Sequence, residues 1–143
     1  MTFDLLCGEV DRHHPLGEYF LWLGIPAQEL LWFRENICPP DVIGINHYVT
    51  SDRFLDHRWD RYPPHMRGGN QRHVYVDVES VRAMARGQTQ LNRLLMQVWQ
   101  RYRRPVAVTE AHLSCHREEQ VRWLTHVWDQ CVTAKQLGAD VRA

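Results

Sequence analysis

Apolar residues recur at helical spacing in two stretches of the second half of the chain. The first stretch places six of them on one face: Leu91, Leu94, Leu95, Val98, Trp99 and Tyr102. This pattern predicts a helix that ends before Pro105. In the second stretch, Glu118 and Glu119 favour a helix N-terminus and Gly138 favours its end. We expect its apolar face, with Trp123, to be core: Val121, Leu124, Trp128 and Cys131.

Two short apolar runs predict β-strands that are buried on both faces, as in a parallel sheet. They lie at residues 41–50 and 105–110, and each becomes polar at its C-terminal end. Residues 140–143 form a possible start of a third strand. Because a helix separates the two runs, the order predicts an α/β fold with a parallel pair and a right-handed crossover.

The remaining segments contain many helix breakers. Residues 1–40 are predicted to form short helices, in which Gly24 ends one helix and Pro26 opens the next. From Ser51 to about Gly87 the pattern is irregular, and this long loop is a candidate wall for a binding cleft. Residues 88–143 then carry the predicted helix, strand, helix and strand start, so the chain is interpreted as one module.

Composition excludes several classes of partner. The chain has 143 residues, of which 44% are hydrophobic, enough for one domain with a core. Its 17 basic residues equal its 17 acidic residues, so we expect no nucleic-acid partner. No apolar run is long enough for a membrane span, and a cytoplasmic location is the default expectation. The four cysteines are widely scattered and predict reduced thiols: Cys7, Cys38, Cys115 and Cys131.

Polar side chains collect at the ends of the two predicted strands, where functional groups of parallel α/β proteins lie. Asn46, His47 and Tyr48 end the first strand, and Glu110 ends the second, with His112 close by. Taken alone, Glu110 is compatible with a simpler role, such as capping the next loop or pairing with an arginine.

Other chemistry-bearing residues give weaker indications. His112, Cys115 and His116 stand close together but lack the spacing of a zinc site, so no metal and no cofactor is expected. Trp59 and Tyr62 in the predicted loop are candidates for stacking on a sugar ring, and packing within the loop is an equal alternative.

The two strand ends together resemble a known family. Gly-Ile-Asn-His-Tyr at residues 44–48 is similar to the G-[IL]-N-Y-Y sixth strand of family 1 glycoside hydrolases. Val-Thr-Glu at residues 108–110 is similar to their [IV]-T-E-N-G seventh strand, although Ala111 and His112 replace Asn-Gly. His14-Pro-Leu at 14–16 and the stretch 138–142 also resemble flanking segments of that family. The resemblance spans nearly the whole chain and implies a partial (β/α)₈ barrel with strands six, seven and the start of eight.

The resemblance also implies roles for individual residues. Glu110 corresponds to the catalytic nucleophile of a retaining, β-glucosidase-like enzyme, and Asn46 and Tyr48 to residues around it and the sugar; His47 and His112 are grouped with them as substrate-binding. A retaining mechanism needs two carboxyl groups about 5 Å apart. The family's acid/base motif, T-[FL]-N-E-P, does not occur in these residues. We therefore expect a truncated module that is not catalytically competent alone.

The expected partners follow from this interpretation. They are a carbohydrate or glycoside, and either a second copy of the chain or a complementing barrel segment, because a slice of a barrel leaves open edges and apolar faces. The Asn-His-Tyr and Thr-Glu-x-His-Leu variants resemble most the hydrolase-like module fused to dTDP-4-dehydrorhamnose reductase-type proteins. The alternative is therefore a non-enzymatic accessory module of a nucleotide-sugar reductase. The chain itself has no G-x-G-x-x-G turn and no Tyr-x-x-x-Lys pair.

Overall fold

The computed structural model describes residues 2–83 and 90–143. Its α-helices are α1 (Thr2–Leu6), α2 (Gly17–Leu23), α3 (Ala27–Glu35), α4 (Ser80–Ala83), α5 (Leu91–Tyr102) and α6 (Arg117–Gln136). Its strands are β1 (Ile43–Tyr48), β2 (Arg53–Asp56), β3 (Arg67–Gly69), β4 (Val74–Glu79) and β5 (Val106–His112). The fold is mixed α/β, as predicted. Among the described helices, none combines the length and apolarity needed to cross a bilayer.

The predicted parallel pair is present. β1 lies beside β5 in the same direction, from Ile43 opposite Val106 to Tyr48 opposite His112. On the other side of β5, Val141 forms a parallel bridge to Val106, and the Val108 N–H donates to the Ala143 carbonyl at 2.7 Å. The expected start of a third strand is therefore confirmed as a parallel contact, and β5 lies between β1 and the C-terminal segment.

The core lies between this sheet and the two long helices. Ile43 and Val106 are fully buried against Leu91 and Leu95 of α5, and Val127 of α6 belongs to the same cluster. Both helices were predicted from their apolar periodicity. Because α5 and α6 pack on the Ile43 face of the sheet, the face that carries the alternate residues of β1 is left uncovered by them.

One apolar face of α6 differs from the expectation. Val121, Leu124 and Trp128 are 55%, 56% and 67% exposed, and only Cys131 of the predicted face is half-buried. The buried positions of the helix are Val127 and Ala134, with Trp123 and Cys131 packed beside them. The prediction that Val121, Leu124 and Trp128 belong to the core is wrong, because α6 carries apolar residues around more than half of its circumference and the sheet covers only one side.

The segment predicted as an irregular loop forms a second sheet. β4 pairs antiparallel with both β2 and β3. The alternation in β4 explains this sheet, since Val76 and Val78 are buried while Asp77 between them faces outward. The prolines and glycines around these short strands conceal the alternation in the sequence. Residues 84–87 of the predicted loop lie outside the described residues.

The helix-end predictions in the first forty residues are confirmed. Gly24 has φ 94°, a left-handed conformation that suits glycine, and its N–H donates to the Leu21 carbonyl at the end of α2. Pro26 stands immediately before α3. The N-terminal helices are attached to the core through α1, where the buried Asp4 carboxylate accepts hydrogen bonds from the Arg101 guanidinium of α5.

Candidate functional site

The two polar strand ends singled out in the sequence are brought together. Asn46 of β1 stands opposite Glu110 of β5, and Tyr48 stands opposite His112. The members of each pair are 64 positions apart in the chain, and the parallel sheet makes them neighbours at the carboxyl edge of both strands. Neighbouring residues of a sheet project to the same face, so these pairs share one polar edge.

A β-bulge shapes this edge. The register shifts after Ile45, which pairs with Val108, whereas Asn46 pairs with Glu110. Thr109 is therefore the extra residue of β5. Val108 and Ala111 both pack against the core, while Thr109 contacts Asn46 on the opposite face. The bulge thus changes which residues of β5 face the core and leaves Glu110 exposed at the polar edge.

Thr109 and Asn46 are joined by a hydrogen bond. The Thr109 hydroxyl donates to Asn46 Oδ1 at 2.7 Å. Gly44 makes the approach possible, because a Cβ atom at that position would lie 3.0 Å from Thr109 Cγ2 and 3.2 Å from its Oγ1. The sequence interpretation did not single out Thr109. The only indication of this contact in the sequence was the Gly-x-Asn spacing in β1. A glycine two positions before Asn46 leaves space on the same face for a side chain of the neighbouring strand.

The end of β1 is held by a tight turn at Tyr48. The Tyr48 N–H donates to Ser51 Oγ at 2.7 Å, and the Ser51 N–H donates back to the Tyr48 carbonyl at 3.0 Å. Tyr48 itself is half-buried. These two bonds stop the strand directly after Tyr48 and fix the backbone of the residue that stands opposite His112.

His112 lies at the mouth of a shallow cleft of about 240 Å³ between the end of β5 and the start of α6. The cleft is also lined by Leu113, Arg117 and Gln120. Ala111, Val121 and Leu124 complete the lining, which therefore combines apolar side chains with the polar groups of His112, Arg117 and Gln120. His112 therefore borders two surfaces, the polar edge through its position opposite Tyr48 and the cleft through its neighbours on α6.

His47 is separated from the other proposed site residues. Its side chain is 3% exposed and stacks on Trp123 of α6, with ring centroids 5.4 Å apart and planes inclined by 20°. Burial lowers the pKa of His47, Asp52 opposes this shift, and His126 adds to it. Because side chains alternate along a strand, His47 faces the core between Asn46 and Tyr48, and the structure does not bring it to the edge with the other proposed site residues.

Trp59 and Tyr62, which lie in the segment predicted as a loop, contact other residues of that same segment. The Tyr62 hydroxyl donates to the buried Asp56 carboxylate, with 3.0 Å between the two oxygens. The same carboxylate also accepts hydrogen bonds from the Arg58 guanidinium. Arg67 stands over the Trp59 ring at 5.0 Å from its centroid. The hydrogen bonds from Arg58 are the main reason that the pKa of Asp56 falls far below its ordinary value. Packing within this segment accounts for both aromatic residues.

A largely apolar groove lies away from the polar edge. It has a volume of about 340 Å³ and lies between α6 and the C-terminal segment, with Leu124, Trp128 and Val141 among its lining residues. It adjoins the exposed apolar residues of α6. Within residues 2–83 and 90–143, no group of three histidine, cysteine or acidic side chains is arranged to hold a metal ion.

Comparison with known proteins adds no family assignment. No protein-family model matches this chain, and no curated protein matches it by sequence.

Proposed function

We propose that this chain is a segment of a family 1-type glycoside hydrolase barrel, and that its polar edge is a carbohydrate-binding remnant of the active site. The observation that carries this proposal is the pairing of Asn46 with Glu110 across two adjacent parallel strands at their carboxyl ends. Active sites of (β/α)₈ barrels lie at this end of the strands.

The arrangement of the elements supports the proposal. β1, β5 and the C-terminal segment are consecutive parallel neighbours, in the order expected of a sixth, seventh and eighth barrel strand. The two long helices pack on one face of the sheet, as the outer helices of a barrel do. Asn46 and Thr109 lie on the other face, which in a complete barrel is the inner one.

The chemistry of the edge suits a sugar. An ionised carboxylate accepts hydrogen bonds and a carboxamide both donates and accepts them, so Glu110 and Asn46 complement hydroxyl groups. Turnover by a retaining mechanism needs a second carboxyl group about 5 Å from the nucleophile, to protonate the leaving oxygen. The corresponding T-[FL]-N-E-P motif is absent from this chain. We therefore propose binding without turnover for the 143 residues alone.

A ligand titration with matched variants tests this function. Methyl β-glucoside is added to the ¹⁵N-labelled chain, and binding is measured from backbone amide shifts. Glu110→Ala removes the central acceptor and weakens binding by about tenfold or more, whereas Glu118→Ala, an exposed glutamate at the start of α6, leaves it unchanged. No binding by the wild-type chain, or equal binding by both variants, contradicts the proposal.

An enzymatic assay accompanies the titration. The chain is incubated with 4-nitrophenyl β-glucoside, and we expect no release of nitrophenol above the blank. Turnover that disappears in Glu110→Gln would contradict the proposed lack of catalysis and would assign a complete active site to this chain.

A second candidate function is that of a non-enzymatic interaction module, for example one that accompanies a nucleotide-sugar reductase of the dTDP-4-dehydrorhamnose reductase type. It is favoured by the exposed apolar residues of α6 and by the adjoining groove, since apolar patches of this kind mark protein contacts. The two candidates differ in the surface they use. Substitution of Trp128 impairs only the interaction module, and substitution of Glu110 impairs only the carbohydrate site.

A further inference from the structure

The Asn46 carboxamide is held by one specific contact. Its Oδ1 accepts the hydrogen bond from Thr109, the extra residue of the bulge. No hydrogen bond joins Asn46 Nδ2 to another residue in the described part of the chain. An amide has one acceptor oxygen and two donor hydrogens. In this orientation the donor end of Asn46 is therefore available to a ligand.

We propose that Thr109 is a positioning residue: by donating to Asn46 Oδ1, its hydroxyl leaves Nδ2 to donate to a ligand hydroxyl at the polar edge. The inference rests on the proposed function, because it takes that edge as the ligand site. Without the Thr109 hydroxyl, rotation about the last side-chain bond of Asn46 interchanges its donor and acceptor ends at little cost, since the residue is exposed.

The orientation determines the class of ligand. The donor at Asn46 stands beside Glu110, whose carboxylate is an acceptor only. A single ligand group that satisfies both must accept one hydrogen bond and donate another, which a hydroxyl does. An ionised carboxylate only accepts, and its charge is repelled by Glu110. The pair therefore selects uncharged ligands that carry a hydroxyl group over anionic ones.

The bulge gives Thr109 this position. Without the extra residue, the regular alternation of β5 would bring a single side chain opposite Asn46; with it, Thr109 and Glu110 both stand beside Asn46. The Thr109 methyl group fills the space above Gly44, where a Cβ atom would come within 3.0 Å. Packing of the methyl group and donation by the hydroxyl thus have separate roles in one side chain.

Two substitutions separate these roles. Thr109→Val keeps the shape and the contact above Gly44 but removes the hydroxyl, whereas Thr109→Ser keeps the hydroxyl and removes the methyl group. Both variants are made in the full 143-residue chain. Backbone amide spectra report whether each one keeps the fold, so loss of structure is recognised separately from loss of positioning.

The direct measurement is the Asn46 side-chain amide signal in ¹⁵N-labelled protein, assigned by its disappearance in Asn46→Ala. We expect Thr109→Val to shift the two Nδ2 proton resonances and to remove the difference between their nuclear Overhauser effects to neighbouring protons. We expect Thr109→Ser to keep the resonances and these effects as in the wild type. Unchanged Asn46 signals in Thr109→Val, or the same change in both variants, would overturn the proposal.

Ligand selectivity provides the second measurement. Methyl β-glucoside is titrated into the wild type and both variants, and glucuronate serves as the anionic comparison. We expect Thr109→Val to bind the glucoside about tenfold more weakly, Thr109→Ser to bind it like the wild type, and glucuronate to bind more weakly than the glucoside. If the wild type binds no glucoside, the proposed function fails, while the Asn46 signals still decide whether Thr109 positions the amide.

Discussion

Single residues in β1 have opposite surroundings although they are consecutive. Asn46 is exposed at the polar edge, and His47 is buried against Trp123 on the core face. Because successive side chains of a strand point to opposite faces, a run of polar letters in the sequence does not form one surface. The same rule explains why Asn46 and Tyr48, two positions apart, remain together.

At the scale of single residues, the burial of His47 predicts that the stability of the chain depends on pH. Its folded-state pKa lies below its ordinary value of 6.5, mainly because of burial. Between these two values the unfolded chain binds more protons than the folded chain, so the free energy of unfolding falls as the pH decreases below about 6.5. The stability contributed by the neutral, buried His47 is fully present above about pH 6.5 and is lost as the pH falls through the folded-state pKa.

Urea unfolding at pH 7.5 and at pH 5 measures this effect. His47→Phe retains an aromatic ring against Trp123 but cannot be protonated, so we expect it to lose less stability between the two pH values than the wild type does. Asp52 and His126 also affect the pKa of His47. His126→Phe is therefore the control for the contribution of the exposed His126. An equal loss in the wild type and His47→Phe would show that His47 does not titrate as proposed.

At the scale of elements, close approach of β1 and β5 depends on Gly44. A Cβ atom there would overlap Thr109 Cγ2 and Oγ1 at 3.0 and 3.2 Å. We expect Gly44→Ala to displace Thr109, weaken its bond to Asn46 and destabilise the chain by about 1–3 kcal/mol. Gly68→Ala is the matched control, because the nearest atom to its Cβ is 3.8 Å away. Urea unfolding of both variants tests this, and an equal effect would exclude a specific clash at Gly44.

The elements that could be predicted are those whose apolar residues follow a regular pattern in the sequence. The periodic face of α5 and the apolar runs of β1 and β5 were sufficient to predict these elements and their parallel order. The antiparallel sheet was missed, because its strands are only three to six residues long and are separated by breakers. The meeting of Asn46, Tyr48 and Glu110 at the same end of two adjacent parallel strands was expected, but the pairing of Asn46 with Glu110 and the bulge at Thr109 were not, since both arise from the register between the two strands.

At the scale of the whole molecule, the described residues leave an apolar surface of α6 uncovered. Val121, Leu124 and Trp128 follow one another along α6 at helical spacing and are all more than half exposed. They adjoin the groove beside the C-terminal segment, where Val141 contributes a further apolar side chain. The sequence predicted that this face is buried, but within residues 2–83 and 90–143 no element covers it.

We propose that a second copy of the chain associates through this surface. Basic and acidic residues number 17 each, so two copies carry no net charge that would oppose their association at pH 7. We predict that the wild type self-associates with increasing concentration and that Trp128→Glu weakens this association, because it places a charge in the middle of the apolar surface. Sedimentation velocity at several concentrations up to high micromolar measures both.

The control for this prediction is Trp32→Glu. Trp32 of α3 is 54% exposed, close to the 67% of Trp128, so both substitutions exchange an exposed indole for a carboxylate. If apolar exposure alone drives association, the two variants weaken it equally. If the surface of α6 is the specific contact, only Trp128→Glu does so. A wild type that stays monomeric at the highest concentration would instead leave α6 to a different partner, such as a complementing barrel segment or an associated reductase.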